Sequence, residues 1–234
     1  MGKGLRGREF ALRALLTMNI NGLGGKMTAV ILAGGKSSRF GRDKSLLTVD
    51  GRLLLERSLD NWGSLFAEVI IVSESGGKFS FLKDVKETAD IYRGRGPLGG
   101  VHAGLKLSSS PWSFVAACDM PHIDKELIAH LCAAFTEESK VVLPFHNGHI
   151  EPLCGLYHKD CLAAAEKMLA ENSNCILDMY DLVPTLFIES ENCFFNINFP
   201  SDAEDFENRR ENLSKSCKRS LREFSRKQKA RKQN

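Results

Sequence analysis

Two glycines, an arginine, a third glycine and a lysine follow one another at Gly34, Gly35, Arg39, Gly41 and Lys44, directly after the apolar run 28–32. Glycine, with no side chain, lets backbone N–H groups come close to an anion. Arg39 and Lys44 add cations that neutralise phosphate charge. This is chemistry for a nucleotide held through its phosphates. Two better-known phosphate loops do not fit. Gly35-Lys36-Ser37 matches the end of a P-loop, but Val30 stands where that motif needs its first glycine. The adjacent Gly34 and Gly35 also break the G-x-G-x-x-G spacing.

A second cue is Asp119, at the end of the run Ser113-Phe114-Val115-Ala116-Ala117-Cys118 and two residues before Pro121. A carboxylate at a strand end is a good Mg²⁺ ligand. Mg²⁺ on triphosphate oxygens neutralises charge and orients the α-phosphate. The competing role, capping the next helix, falls more naturally to Asp124. A third cue is the glycine-rich stretch from Gly94 to Leu105, containing Gly96-Pro97-Leu98-Gly99-Gly100. Its small residues allow either a backbone lying against a flat base or a helix packed tightly on a sheet.

The elements that must position these residues alternate along the chain. Strands are predicted over 28–32, 68–73, 85–88, 113–117, 140–144 and 185–188. Helices are predicted over 53–65, 98–107, 125–135 and 159–170, with a last one starting near Ser201. The strands are short Val/Ile/Phe-rich runs, as buried parallel strands are. Strand–helix alternation implies an α/β fold: one doubly wound, Rossmann-like, mostly parallel sheet with helices on both faces. Ligands bind such sheets at the carboxyl ends of the strands. The glycine loop, Ser73, Asp90 and Asp119 all fall there and are expected to share one crevice.

Composition sets the limits. The 234 residues suffice for one substantial domain, expected over 27–206. Seven scattered Cys without a C-x-x-C pair argue for reduced thiols in the cytoplasm, against a disulfide framework or zinc site. No stretch is long and apolar enough to span a membrane, so no membrane role is expected. Residues 1–26 carry five Lys/Arg and one Glu, and 207–234 carry eleven Lys/Arg and three Glu. Between them, 27–206 holds 16 Lys/Arg against 25 Asp/Glu. An acidic body is a poor nucleic-acid platform, and no nucleic acid is expected as a partner. The first 26 residues read as a disordered extension, the last 28 as a helical or disordered basic tail.

The pattern L-A-G-G-x-x-x-R-x-G-x-x-K resembles the signature loop of sugar-nucleotide-type nucleotidyltransferases. Taken with Gly-Pro-Leu-Gly-Gly-Val-His-Ala-Gly-Leu, Cys-Asp-Met-Pro and Phe195-Asn196-Ile197-Asn198-Phe199-Pro200, it resembles the molybdenum cofactor guanylyltransferase family over about 27–206. That resemblance implies transfer of GMP from GTP to molybdopterin, with Mg²⁺ as cofactor and pyrophosphate released. It implies that Leu32, Ala33, Gly34 and Gly35 hold GTP through the backbone. Arg39 and Lys44 contact its phosphates and are catalytic, with Asp119 as catalytic metal and nucleotide ligand. Asp90, Gly96, Pro97 and Leu98 contact the nucleotide. Glu151, Asn196 and Asn198 face the acceptor. Where the family often has Asn in a guanosine contact, this chain has Ser73. Molybdoenzyme-maturation proteins are the implied protein partners.

Two other readings stay open at this level. One is a related transferase with another base or acceptor, such as a molybdopterin cytidylyltransferase. The other is a non-catalytic GTP-binding cofactor chaperone.

Overall fold

The structure is a computed structural model that describes residues 26–34, 44–49, 51–121, 123–146 and 148–190. The expected extension (apart from Lys26), the helix from Ser201 and the basic tail lie outside the described residues. In chain order the elements are β1 (Thr28–Leu32), a hairpin of β2 (Thr48–Val49) and β3 (Arg52–Leu53), then α1 (Leu54–Trp62) and β4 (Glu68–Ser73). There follow β5 (Lys86–Ala89), α2 (Gly96–Leu107), β6 (Trp112–Ala117) and α3 (Lys125–Ala134). The last are β7 (Val141–His146), β8 (His149–Ile150), β9 (Cys154–His158), α4 (Cys161–Ala170) and β10 (Thr185–Glu189).

β1 is buried along its whole length and lies between two parallel neighbours, β4 and β6. The sheet runs β10-β7-β9-β6-β1-β4-β5, with β8 hydrogen-bonded to β7. β9 runs antiparallel to both β6 and β7. The other strands of the main order pair in parallel, as expected for a mostly parallel sheet. The chain builds outward from β1 through β4 to β5, then returns to β6 on the other side of β1. That reversal is a topological switch point, where α/β sheets open a ligand crevice.

Side chains alternate across the strands, so each face has its own core. Ala29 and Ile31 point to the face covered by α1 and α3, packed with Leu55, Trp62, Phe114, Leu127 and Leu131. Val30 and Leu32 point to the other face, under α2 and α4, with Leu98, Val101, Leu105, Ala165 and Leu169. Trp62 meets Phe114 edge-on with ring centroids 5.4 Å apart. Phe66 stacks on Phe114 at 5.7 Å. Rings this large supply much of a core's apolar burial.

Gly104 sets how near α2 can come to β1. A Cβ there would lie 2.3 Å from Val30 Cγ1, far inside contact distance. The glycine stretch is therefore first of all a helix-packing surface. At the opposite end of the sheet from the crevice, the Glu68 carboxylate ties loops together. It accepts from Thr28 Oγ1 at 2.8 Å, from Ser109 N at 2.9 Å, and from Lys86 Nζ. Burial alone raises its pKa, but these hydrogen bonds outweigh it and hold the carboxyl at about 2.

The predicted strands and helices between 28 and 188 are present, with ends shifted by up to three residues. β9 escaped the strand pattern because its Cys-Gly-Leu-Tyr-His stretch has no β-branched run. The Leu156-Tyr157 strand implied by family resemblance does lie within it. No described helix is long and apolar enough to cross a membrane.

Candidate active site

The switch point opens into a crevice of about 470 Å³ at the carboxyl ends of β1, β4, β5 and β6. Of the predicted nucleotide residues, Leu32, Ala33, Gly34, Ser73, Asp90, Gly96, Pro97 and Asp119 line it. Leu98 does not: its side chain is fully buried in the core beneath α2. Helical geometry explains this. α2 begins at Gly96, two residues before the predicted start, and Leu98 in its first turn faces the sheet. Gly35, Arg39, Gly41, Asn196 and Asn198 lie outside the described residues. Lys44 opens a 3₁₀ turn (Lys44–Leu46), of which Ser45 lines the crevice. The Lys44 side chain is outside what the structure describes.

The floor is rigid backbone. Ala33 N–H donates to Val72 O at 2.8 Å, and Cys118 N–H donates to Leu32 O at 3.1 Å. These bonds extend the β4–β1–β6 pairing one residue past β1 and bring Gly34 and Asp119 out at the crevice together. A Cβ on Gly34 would meet the protein only at ordinary contact distance, 3.5 Å from Glu74 N.

Asp124, not Asp119, caps α3, its carboxylate accepting from Leu127 N at 2.8 Å. Glu151, between β8 and β9, lies within reach of Asp119's field. Burial raises the Glu151 pKa, a hydrogen bond from Leu153 N–H opposes this, and the charge of Asp119 raises it further. Asp119 lines the crevice; Glu151 is not among its lining residues and stands behind Asp119, on the side of β9 and β7. Among the described residues no three His, Cys, Asp or Glu cluster as a metal cage. Mg²⁺ characteristically uses one or two carboxylates, with phosphates and water completing its shell. Asp119 fits that donor set.

Asp90 follows β5. Its Oδ1 accepts from Tyr92 N at 2.9 Å, and its carboxylate lies over Gly99 at the start of α2. Burial raises the Asp90 pKa, while the Tyr92 hydrogen bond and the charges of His102 and Arg93 oppose the rise. The Tyr92 ring meets the His102 ring edge-on at 5.1 Å. His102 is fully buried, with Nε2 3.2 Å from Glu166 Oε1.

Ser73 lines the crevice, but its hydroxyl serves the fold. It donates to Glu87 Oε1 at 2.6 Å and accepts from Gly76 N at 3.0 Å. The same Glu87 carboxylate accepts from Lys78 N at 3.0 Å and Phe79 N at 2.9 Å. Lys78 Nζ in turn donates to Ser45 Oγ, joining the β4–β5 loop to the turn after the signature loop. Sequence reasoning missed Ser45, Glu74, Arg93 and Leu153, which also line the crevice. For Arg93 a signal existed: it stands three residues after Asp90, past the same strand end.

Comparison with known proteins agrees with this geometry. Residues 29–182 match the model of the MobA-like NTP transferase domain, which covers more than half of the chain. The chain belongs to this family. As a MobA-like NTP transferase it is a nucleotidyltransferase, acting on a nucleoside triphosphate. It is 35% identical over 189 residues to a probable molybdenum cofactor guanylyltransferase of Halalkalibacterium halodurans, covering 76% of this chain and 96% of that protein. It is 36% identical over 187 residues to the protein of the same description from Pelotomaculum thermopropionicum, covering 75% and 89%. Among solved structures it is similar to molybdopterin-guanine dinucleotide biosynthesis protein A from Archaeoglobus fulgidus. That match has a TM-score of 0.66 at 26% identity and covers 78% of this chain and 97% of the other.

Proposed function

We propose that this MobA-like transferase moves GMP from GTP to molybdopterin and releases pyrophosphate. The observation that carries the reading is the convergence of Gly34, Asp90 and Asp119 on one crevice, with Glu151 beyond Asp119. The descriptions of the relatives in Halalkalibacterium and Pelotomaculum support the guanylyl donor and molybdenum cofactor acceptor.

A terminal phosphate oxygen of molybdopterin attacks the α-phosphorus of GTP. A new P–O bond forms as the bond from the α-phosphorus to the bridging oxygen breaks, and its electron pair leaves with pyrophosphate. The nucleophile is already an anion, so no proton must be removed. Positioning and charge stabilisation carry the rate. Backbone at Leu32, Ala33, Gly34 and Gly35 cradles the phosphates. Arg39 and Lys44 stabilise charge developing on pyrophosphate. Asp119 would hold Mg²⁺, which supplies charge neutralisation on the triphosphate. Asp90, with the Gly96-Pro97 backbone, orients the nucleoside. Glu151, Asn196 and Asn198 face the pterin side. Among the described residues the buried Cys132, Cys154 and Cys161 form no disulfide, which suits a reducing cytoplasm.

The test is pyrophosphate release by the full chain with GTP, Mg²⁺ and molybdopterin, with the dinucleotide identified by mass. Turnover with CTP in place of GTP would make it a cytidylyltransferase. GTP binding without pyrophosphate release would make it a cofactor chaperone.

A further inference from the structure

We propose that Arg93 is a specificity-determining residue that, together with Asp90, reads the hydrogen-bonding edge of guanine. The inference rests on the guanylyl reading above and assigns its base selectivity to named side chains.

The sheet order gives the crevice a direction. Gly34 and Asp119 emerge from adjacent strands, β1 and β6, so the triphosphate belongs there. Glu151 lies beyond β6, on the side of β9 and β7. Asp90 and Arg93 follow β5, on the opposite side and two strands from β1. Two strand spacings are about 10 Å, a nucleoside's length. A cation at that end is too far along to neutralise the transferred phosphate, and it faces the base.

Ser73, at the position implied for the guanosine contact, has its hydroxyl engaged by Glu87 and Gly76. Another group must recognise the base. Arg93 lines the crevice, is exposed, and lies near enough to Asp90 for its charge to act on that carboxylate. Asp90 Oδ1 accepts from Tyr92 N–H, and an ionised carboxylate keeps further lone pairs for a ligand.

The pair therefore presents donors beside acceptors. Guanine offers the complement: O6 and N7 accept, while N1–H and the N2 amino group donate. Arg93 donates to O6 and N7, the commonest arginine–base pairing. Asp90 accepts from N1–H and N2–H. Cytosine carries its amino donor and ring acceptors in the reverse order. Adenine places an amino donor where Arg93 needs an acceptor. Either wrong base leaves Arg93 and the half-buried Asp90 without partners.

The test is calorimetric binding of non-reacting α,β-methylene analogues of GTP, CTP and ATP, and of inorganic tripolyphosphate, to the full chain with Mg²⁺. Wild type is expected to bind the guanine analogue at least about tenfold more tightly than the others. Arg93→Ala should lose about 10–100-fold for the guanine analogue alone, with cytosine and tripolyphosphate affinities unchanged. Arg93→Lys keeps the charge but not the planar fork, and should lose discrimination as well. An unchanged guanine-to-cytosine ratio in Arg93→Ala overturns the proposal and leaves the guanylyl reading standing. Equal losses on every ligand, tripolyphosphate included, also overturn it and make Arg93 a phosphate contact. A wild-type preference for the cytosine analogue overturns both readings. Arg93 is exposed, so an unchanged melting temperature verifies that the variants are folded.

Discussion

Gly99 lies directly beneath the Asp90 carboxylate. A Cβ on Gly99 would come within 2.8 Å of Oδ1 and 2.9 Å of Oδ2. The first turn of α2 is thus the seat of a side chain from the preceding strand end. Gly99→Ala must push the Asp90 carboxylate aside. Alanine also favours the helix by up to about 1 kcal/mol, so global stability should change little. GTP affinity should fall about tenfold or more, the size of a lost hydrogen bond to a charged group. Calorimetry beside a thermal melt checks both halves. Unchanged affinity would mean that Asp90 does not touch the nucleotide.

Asp119→Ala should lower pyrophosphate release at least about a hundredfold, the scale of losing one transition-state electrostatic contact. Asp119 is only half-buried, so the melting temperature should move by no more than about 3 °C. A near wild-type rate at saturating GTP and Mg²⁺ would remove Asp119 from the site.

The charge of Asp119 also raises the pKa of Glu151, after burial has done so. Asp119→Asn removes that charge and leaves the burial. The Glu151 pKa should therefore fall, while staying above the ordinary glutamate value. A carboxyl-carbon NMR titration of both proteins reads the shift, and no movement would separate the two sites.

Gly104→Ala drives a methyl to 2.3 Å from Val30 Cγ1 in a closed core. Overpacking of this kind costs about 1–3 kcal/mol, or a melting temperature lower by about 3–10 °C. Adding Val30→Ala should restore part of the loss. Failure of the double variant to recover any stability would mean the clash is not with Val30.

Glu68 makes stability depend on acid. Its carboxyl is held at about 2, against 4.5 for the unperturbed group. A depressed folded-state pKa stabilises the fold above the unfolded value, and that contribution fades as pH falls from 4.5 towards 2. Glu68→Gln should be less stable than wild type at pH 7 by about 2 kcal/mol, and the gap should narrow between pH 5 and pH 3. Urea denaturation at the two pH values measures it. A gap independent of pH would mean that ionisation of Glu68 does not stabilise the fold.

Much of the fold was legible because its signals are local. A run such as Glu68–Ser73 is Val/Ile-rich wherever it sits, and Asp124 precedes its helix by one residue. β9 was hidden from the pattern because none of its five residues is β-branched. Leu98 looked like part of the nucleotide segment, yet helix phase turned it into the core. Ser73 looked available until Glu87, fourteen residues on, claimed its hydroxyl.

The sequence by itself determined that phosphates are handled. Glycines, an arginine, a lysine and a strand-end aspartate have that meaning through their own chemistry and spacing. Only the tertiary structure decided which residues meet. Strand order is set by packing both faces of β1, and that packing makes β6 its neighbour, bringing Asp119 beside Gly34 from far along the chain. The same packing puts the β5 end, with Asp90 and Arg93, on the opposite side of β1 from Glu151. Those distances depend on how the sheet closes its core, which no local run of residues encodes.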